Sequence, residues 1–269
     1  MVQPLKKINQ LPLWPTTLRG MPNAVARSAL FNIDHARKGE RGWFQAQPIF
    51  SAKNIKMIYT GAELRVDDED VFLQVLHGGR THDLGTTVEF TARDMMKALK
   101  WTLNKESTER LKMCLTRLSA TTIEITVKNL DGTGEGFGGS LVRLFRWKNF
   151  ETGELFRKWQ IELEPEIVAL FGQQTYTRID WEFRLSLPPL AKQLHKFYHS
   201  HGVPFPMKVQ TLYELSGSHM AELRKFRYEL KKALALLVER GFFKSFAIDK
   251  NSDLVTVIRT SPTLMPPAN

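Results

Sequence analysis

Apolar residues recur at helical spacing in two long runs of the chain. Leu111, Leu115 and Leu118 are followed by Ile123, and Leu230, Leu234 and Leu237 are followed by Phe242, with the same successive spacings of 4, 3 and 5. Steps of three and four place such positions on one face of a helix. Leu223 and Phe226 extend the second stripe toward its N-terminus. A shorter helix is expected before each long one, over Thr91 to Lys100 and over Lys208 to Leu215. Strand-like stretches follow each, Thr121 to Lys128 and Phe242 to Ile248. A turn and a second strand come next: Asp131 to Gly139 then Ser140 to Trp147, and Asp249 to Asp253 then Leu254 to Arg259. Helix, turn, helix and β-hairpin is the winged-helix order, so the pattern predicts an α+β fold of two tandem winged-helix domains.

Punctuation in the pattern divides the chain. Residues 1–20 carry Pro4, Pro12 and Pro15 and predict an extended N-terminal arm. The first domain spans 21–172, the second 173–260, and 261–269 is a tail. Asn23 is a good N-cap for a helix through Phe31, and Ile49 to Tyr59 alternates as a strand. Asp67, Asp68, Glu69 and Asp70 precede an apolar run to Leu76. Acids there complement the dipole of a helix N-terminus, which outweighs a metal reading. Phe156 to Leu163 alternates as a strand, and Pro165 can open a short helix to Phe171. The joint is expected near Gly172 to Tyr176. Leu190 to His199 then forms the first helix of the second domain, ended by Gly202, Pro204 and Pro206.

Composition narrows the partner. The 269 residues carry 38 Lys+Arg against 28 Asp+Glu, a formal charge of +10, which favours a polyanion because each neutralised phosphate releases counterions. The single cysteine, Cys114, lies beside the Leu111–Leu115–Leu118 stripe and is expected to be a buried, inert thiol. It excludes an intramolecular disulfide and fits a reducing cytoplasm. No apolar run reaches membrane-span length and no signal peptide is expected, so the chain is placed in the bacterial cytoplasm with no membrane partner.

The candidate chemistry is DNA binding. Arg224, Arg227 and Lys231 share a face of the second long helix, where Arg suits guanine O6 and N7 and Lys suits phosphate. Lys225 and Lys232 are offset toward the backbone, and Tyr228 flanks the same face. Ser216 and Ser218 are expected to cap this helix and to donate to a phosphate. Lys244, Lys250 and Arg259 belong to the second wing. The first long helix offers Arg110, Lys112 and Arg117, for which a groove contact and a packing or dimer role are both open. Its wing offers Lys128, Arg143 and Arg146. Three enzyme signatures fail. Gly134 to Gly139 satisfies G-x-G-x-x-G but is followed by a strand, and no P-loop string exists. Tyr228-Glu229-Leu230-Lys231 and His199-Ser200-His201 outline a rolling-circle nickase, but the histidines end a helix instead of lying on a strand. No catalytic residue, metal or cofactor is expected.

Several strings occur together in order: Leu11-Pro12-Leu13-Trp14-Pro15, Pro22-Asn23-Ala24-Val25, Arg27-Ser28-Ala29-Leu30-Phe31, Tyr176-Thr177-Arg178-Ile179-Asp180-Trp181-Glu182, Glu214-Leu215-Ser216-Gly217-Ser218 and Leu223-Arg224-Lys225-Phe226-Arg227. As a set, from about residue 11 to residue 242, they resemble the TrfA-type plasmid replication initiators. The resemblance implies two winged-helix domains binding direct repeats (iterons) in double-stranded origin DNA, opening of AT-rich DNA with single-stranded contacts, and plasmid copy control. It implies recruitment of host proteins (sliding clamp, helicase, a DnaA-type initiator), with the homodimer as the inactive form. Leu30 and Phe31 map to a family pair associated with the sliding clamp; core packing is the alternative for both. The sequence departs from the family in the long Gly-rich 131–139 insert and in Pro188-Pro189. A transcriptional repressor of the same fold is the competing class, with the nickase using Tyr228 behind it.

Overall fold

In the computed structural model, which describes residues 10–34, 39–128, 134–149, 151–171 and 175–260, the expected arm is packed from residue 11 onward. Leu11 and Trp14 are buried, and Trp14 Nε1 donates to His77 Nδ1 at 3.0 Å. Leu18–Pro22 (β1) pairs antiparallel with Tyr176–Asp180, in register from Leu18 opposite Asp180 to Pro22 opposite Tyr176. The prolines keep this segment extended, but its indole and leucine side chains drive it into the core. Residues 1–9, 131–133, 172–174 and 261–269 lie outside the described residues.

The expected helix at Asn23 is one turn, Asn23–Ala26 (α1), after which Phe31–Asn32 (β2) pairs in parallel with Leu64–Arg65. Trp43–Pro48 (β3), Ile55–Ala62 (β4) and Leu64–Arg65 (β5) lead into Val66–Gly79 (α2). Val88–Phe90 (β6), Ala92–Ala98 (α3) and Lys105–Ser119 (α4) follow. Thr91 and Asn104 cap α3 and α4 by accepting from the backbone N–H of Asp94 and Ser107. Thr122–Lys128 (β7) and Gly134–Gly139 (β8) form one hairpin; Leu144–Lys148 (β9) and Leu155–Glu162 (β10) form another. A 3₁₀ turn, Pro165–Phe171, precedes Tyr176–Asp180 (β11). Trp181–Leu185 (α5), Pro189–His199 (α6), Met207–Lys208 (β12), Val209–Ser216 (α7), Leu223–Glu239 (α8), Phe243–Ile248 (β13) and Leu254–Arg259 (β14) complete the chain.

Both units are winged helices with one topology. In the second, α6, α7 and α8 carry a sheet of order β12-β14-β13; in the first, α2, α3 and α4 carry one of order β6-β10-β9. This equivalence corrects the expected first hairpin. The stretch after α4, β7, pairs with β8 and with β4 in a sheet of order β3-β4-β7-β8, an insertion between α4 and the wing. The first wing is β9–β10. The G-x-G-x-x-G string is itself strand β8, pairing Gly134 to Gly139 against Lys128 to Ile123. At the sheet's open edge, β3 shifts register between Phe44 and Gln47, with Ala46 at φ 48° and Trp43 68% exposed.

Two hydrophobic cores divide the chain between Trp181 and Leu187, one strand later than the expected joint, because β11 completes a sheet with β1. Ile33 is the exception: it lies in the second core although its neighbours lie in the first. No described helix is long and apolar enough to cross a membrane.

Candidate nucleic-acid interface

Helix α8 is held from beneath and presents a basic face. Phe226, Leu230, Ala233, Leu234 and Leu237 are buried, and Phe226 meets Tyr213 edge-on at 5.2 Å between ring centroids. On the outside, Arg224, Lys225, Tyr228, Lys231 and Lys232 are exposed, and Arg224, Lys225, Arg227, Tyr228 and Lys231 line a shallow groove with Met220 and Glu229. Lys225 pairs with Glu222 at 2.8 Å, and Lys232 with Glu229 at 3.1 Å while its ammonium lies 4.2 Å from the Tyr228 ring centroid. These exposed pairs exchange readily for phosphate. Arg227 instead forks onto Asp253, Nε at 3.0 Å and Nη2 at 2.6 Å, tying the helix to the turn that joins the two strands of the second wing. Lys244 and Lys250 are exposed on that wing, whereas Arg259 donates to the carbonyl of His201. Because the Arg227–Asp253 pair is half in solvent, Arg227→Ala should change unfolding stability by less than about 1 kcal/mol, as measured by urea denaturation.

Ser216 and Ser218 do not cap α8, which starts at Leu223. Ser216 is fully buried and donates to the Tyr213 carbonyl; Ser218 accepts from the Met220 N–H. Both are buried, with their hydroxyls engaged inside the turn. The turn they occupy is seated on the first domain. Ile33 N–H donates to the Ser216 carbonyl at 3.1 Å, and Gln193 Nε2 donates to the carbonyls of both Ser28 and Leu215. Arg27 donates to Ser200. Gly217, at φ +59°, sits so close that a Cβ there would lie 2.8 Å from Asn32 Cβ, so only glycine meets both the conformation and the space. Residues 27–34 are thus a strap between the domains.

That strap favours the core-packing alternative for Leu30 and Phe31. They are 4% and 0% exposed, and Phe31 stacks on Phe72 at 6.0 Å with the Lys196 ammonium over its ring. In this arrangement both are core residues, with no side-chain surface for a sliding clamp.

In the first unit α4 commits its cations elsewhere. Arg117 binds Asp68 through Nε at 2.9 Å and Nη2 at 2.7 Å and is largely buried. Arg110 reaches Asp67 at 3.4 Å and stacks on Trp101 at 4.0 Å, and Lys112 pairs with Glu109 and lies over Trp147. These contacts favour the packing role for Arg117 and hold Arg110 and Lys112 against indole rings. Lys128 lies on β7, outside the wing. The exposed cations of the first wing are Arg146, Arg157 and Lys158, with Arg143 just ahead of it. Arg157 and Lys158 escaped the sequence reading because β10 was not recognised as a wing strand; the alternation of Phe156 to Leu163 was the available signal.

Asp67, Asp68, Glu69 and Asp70 all lie at or below 5% exposure and meet six cations. Arg41 binds Asp67 and Asp68, joined there by Arg110 and Arg117. Arg184 binds Glu69 and Asp70, each at 2.8 Å; Lys192 adds to Asp70 and Lys196 to Glu69. Asp67, Asp68 and Cys114 bring metal-ligating atoms together, but guanidinium groups already occupy the carboxylates. The Cys114 thiol is fully buried, and burial followed by the Asp68 and Asp67 charges pushes its pKa well up, as an inert thiol requires. Asp34, Glu63 and His219 also converge, with Glu63 held by Arg65 and Asn32. The histidines of the nickase outline are spent on packing. His201 Nδ1 bonds the Phe197 carbonyl, and His199 packs on Phe242. Burial, then Arg259, lowers the pKa of His199 to about 4.

Comparison with known proteins agrees with this architecture. The profile of the TrfA protein family matches residues 4–259. The plasmid replication initiator protein TrfA of Escherichia coli is 33% identical over 244 residues, covering 90% of this chain and 62% of that protein. Two crystal structures of domains 2 and 3 of RctB superpose with TM-scores of 0.58 and 0.56 at 13% identity. They cover 89% and 86% of this chain, and 99% and 95% of theirs.

Proposed function

The chain belongs to the TrfA family, and from that premise we propose that it is a plasmid replication initiator that binds direct repeats in origin DNA. The observation that carries this reading is the exposed basic face of α8, with Arg224 and Lys231 outward on a helix whose opposite face is buried. A winged helix places such a face in the major groove. Arg224 then reads base edges, while Lys225, Lys231, Lys232, Lys244 and Lys250 neutralise phosphates. The first unit adds backbone contacts through Arg143, Arg146, Arg157 and Lys158 on and beside its wing, and turns the exposed face of α4, with Glu109, Met113 and Thr116, toward the bases of a second groove. Two units engaging successive grooves deform the duplex, which lowers the cost of opening adjacent A·T-rich steps. No covalent step enters this mechanism; host replication proteins load onto the opened strand.

The test is binding to duplexes selected by the protein from a randomised pool, against random duplex, across salt. Arg224→Ala should lose about 1–3 kcal/mol of discrimination while keeping salt-dependent residual binding. Lys231→Ala should weaken both duplexes alike and reduce the salt slope by about 0.9. Undiminished discrimination in Arg224→Ala would move base reading off this helix. Absence of any enriched sequence for the wild type would remove the initiator reading.

A further inference from the structure

The four acids at the start of α2 do more than begin a helix. Consecutive helical residues are about 100° apart, so four in a row face nearly all the way round. Asp67 and Asp68 point to Arg41, Arg110 and Arg117, two of them on reading helix α4. Glu69 and Asp70 point the other way, to Arg184 on α5 and to Lys192 and Lys196 on α6 of the second unit. One helical turn therefore joins the reading helix of the first domain to the scaffold helix that carries α8. Arg184 and Lys196 are fully buried, and Lys192 nearly so. Apolar faces can slide past one another at little cost, whereas buried ion pairs are directional and lose their compensation when displaced.

Resting on the DNA-binding reading above, we propose that Asp67, Asp68, Glu69 and Asp70 are positioning residues that set the angle and separation of the two DNA-contacting units, and with them the spacing of the two sequence elements read within one repeat. The strap at residues 27–34 keeps the domains joined; the acid turn sets how they are oriented. A family member with a different repeat spacing is then expected to differ at this turn or its cations.

The test uses the double variant Asp70→Leu/Lys192→Met, which removes one acid and its cation together and leaves Arg184 on Glu69. Lys192→Met alone is the milder companion if the double variant folds poorly. Binding is measured on the selected duplex and on the same duplex with two base pairs inserted between its two elements, a rotation of about a fifth of a turn. The wild type should lose about 100-fold on insertion and the variant less than about tenfold, with near-equal binding to the uninterrupted duplex. A purely structural role would lower both affinities together and leave their ratio unchanged. In parallel, spin labels at Thr116→Cys and Ala235→Cys, with buried Cys114 unlabelled, report the distance between α4 and α8 without DNA. A single narrow distance in the wild type that broadens or shifts in the variant supports the proposal. An unchanged distance and an unchanged insertion penalty overturn it. If no sequence is enriched by selection, the DNA reading fails, and the spin-label distances alone decide whether the turn sets orientation.

Discussion

Replacing Arg184 by Met should lower the unfolding free energy by about 3–5 kcal/mol, because it leaves two buried carboxylates short of their shared partner. Arg184 is 0% exposed and holds both Glu69 and Asp70. The same variant should be more acid-sensitive, and the sign follows from Glu69. Burial alone raises its carboxyl pKa, but the charges and hydrogen bonds of Lys196 and Arg184 outweigh burial and hold it below the usual 4.5. A carboxyl lowered by folding contributes stability that is fully present above its unfolded pKa and is lost as pH falls through the folded one. Without Arg184 the folded value rises, so the acid-unfolding midpoint followed by circular dichroism should move to higher pH. A urea midpoint within experimental error of wild type would mean that Lys192 and Lys196 compensate fully.

Phe31→Ala should be nearly as damaging, about 3–5 kcal/mol, the usual cost of emptying a buried aromatic site. Phe31 fills the space beside Phe72 and beneath Lys196, inside the strap that seats the turn before α8. A residue whose only task was to meet a partner would leave stability untouched. Thermal and urea unfolding of the purified variant therefore separate the two readings of this segment. A folded, fully stable Phe31→Ala protein would return Phe31 to the partner-contact reading.

The parts of this architecture that a sequence can express locally were legible. The stripe Phe226–Leu230–Leu234–Leu237 has the helical period, and Arg224, Lys225, Tyr228 and Lys231 emerge on the opposite face as that period requires. What failed was long-range pairing. The stretches Thr122–Lys128 and Leu144–Lys148 both alternate as strands, and alternation does not say which partner a strand takes. The choice of β4 and β8 for one, and of β10 for the other, rests on register between distant segments. The acids do lie at the start of α2, as their position before an apolar run indicates, but their ion pairs were not legible, for the same reason. Four adjacent carboxylates resemble a helix start and nothing more until Arg184, Lys192 and Lys196, 114 to 127 residues away, are brought against them. Ser216 and Ser218 look like caps locally, yet the turn between α7 and α8 is shaped by Asn32 and Ile33 from the other domain.

The irregular edge strand β3 bears on how the protein survives at high concentration. Straight, open strands recruit one another into stacked sheets and then into insoluble aggregate. Here the Trp43 to Pro48 edge is kinked by the left-handed Ala46 and ends in a proline that offers no donor, so a second chain finds no continuous ladder to extend. Deleting Ala46 would straighten the strand and leave the already exposed Trp43 on a regular edge, so soluble yield on expression and storage life should fall while the urea midpoint stays near that of the wild type.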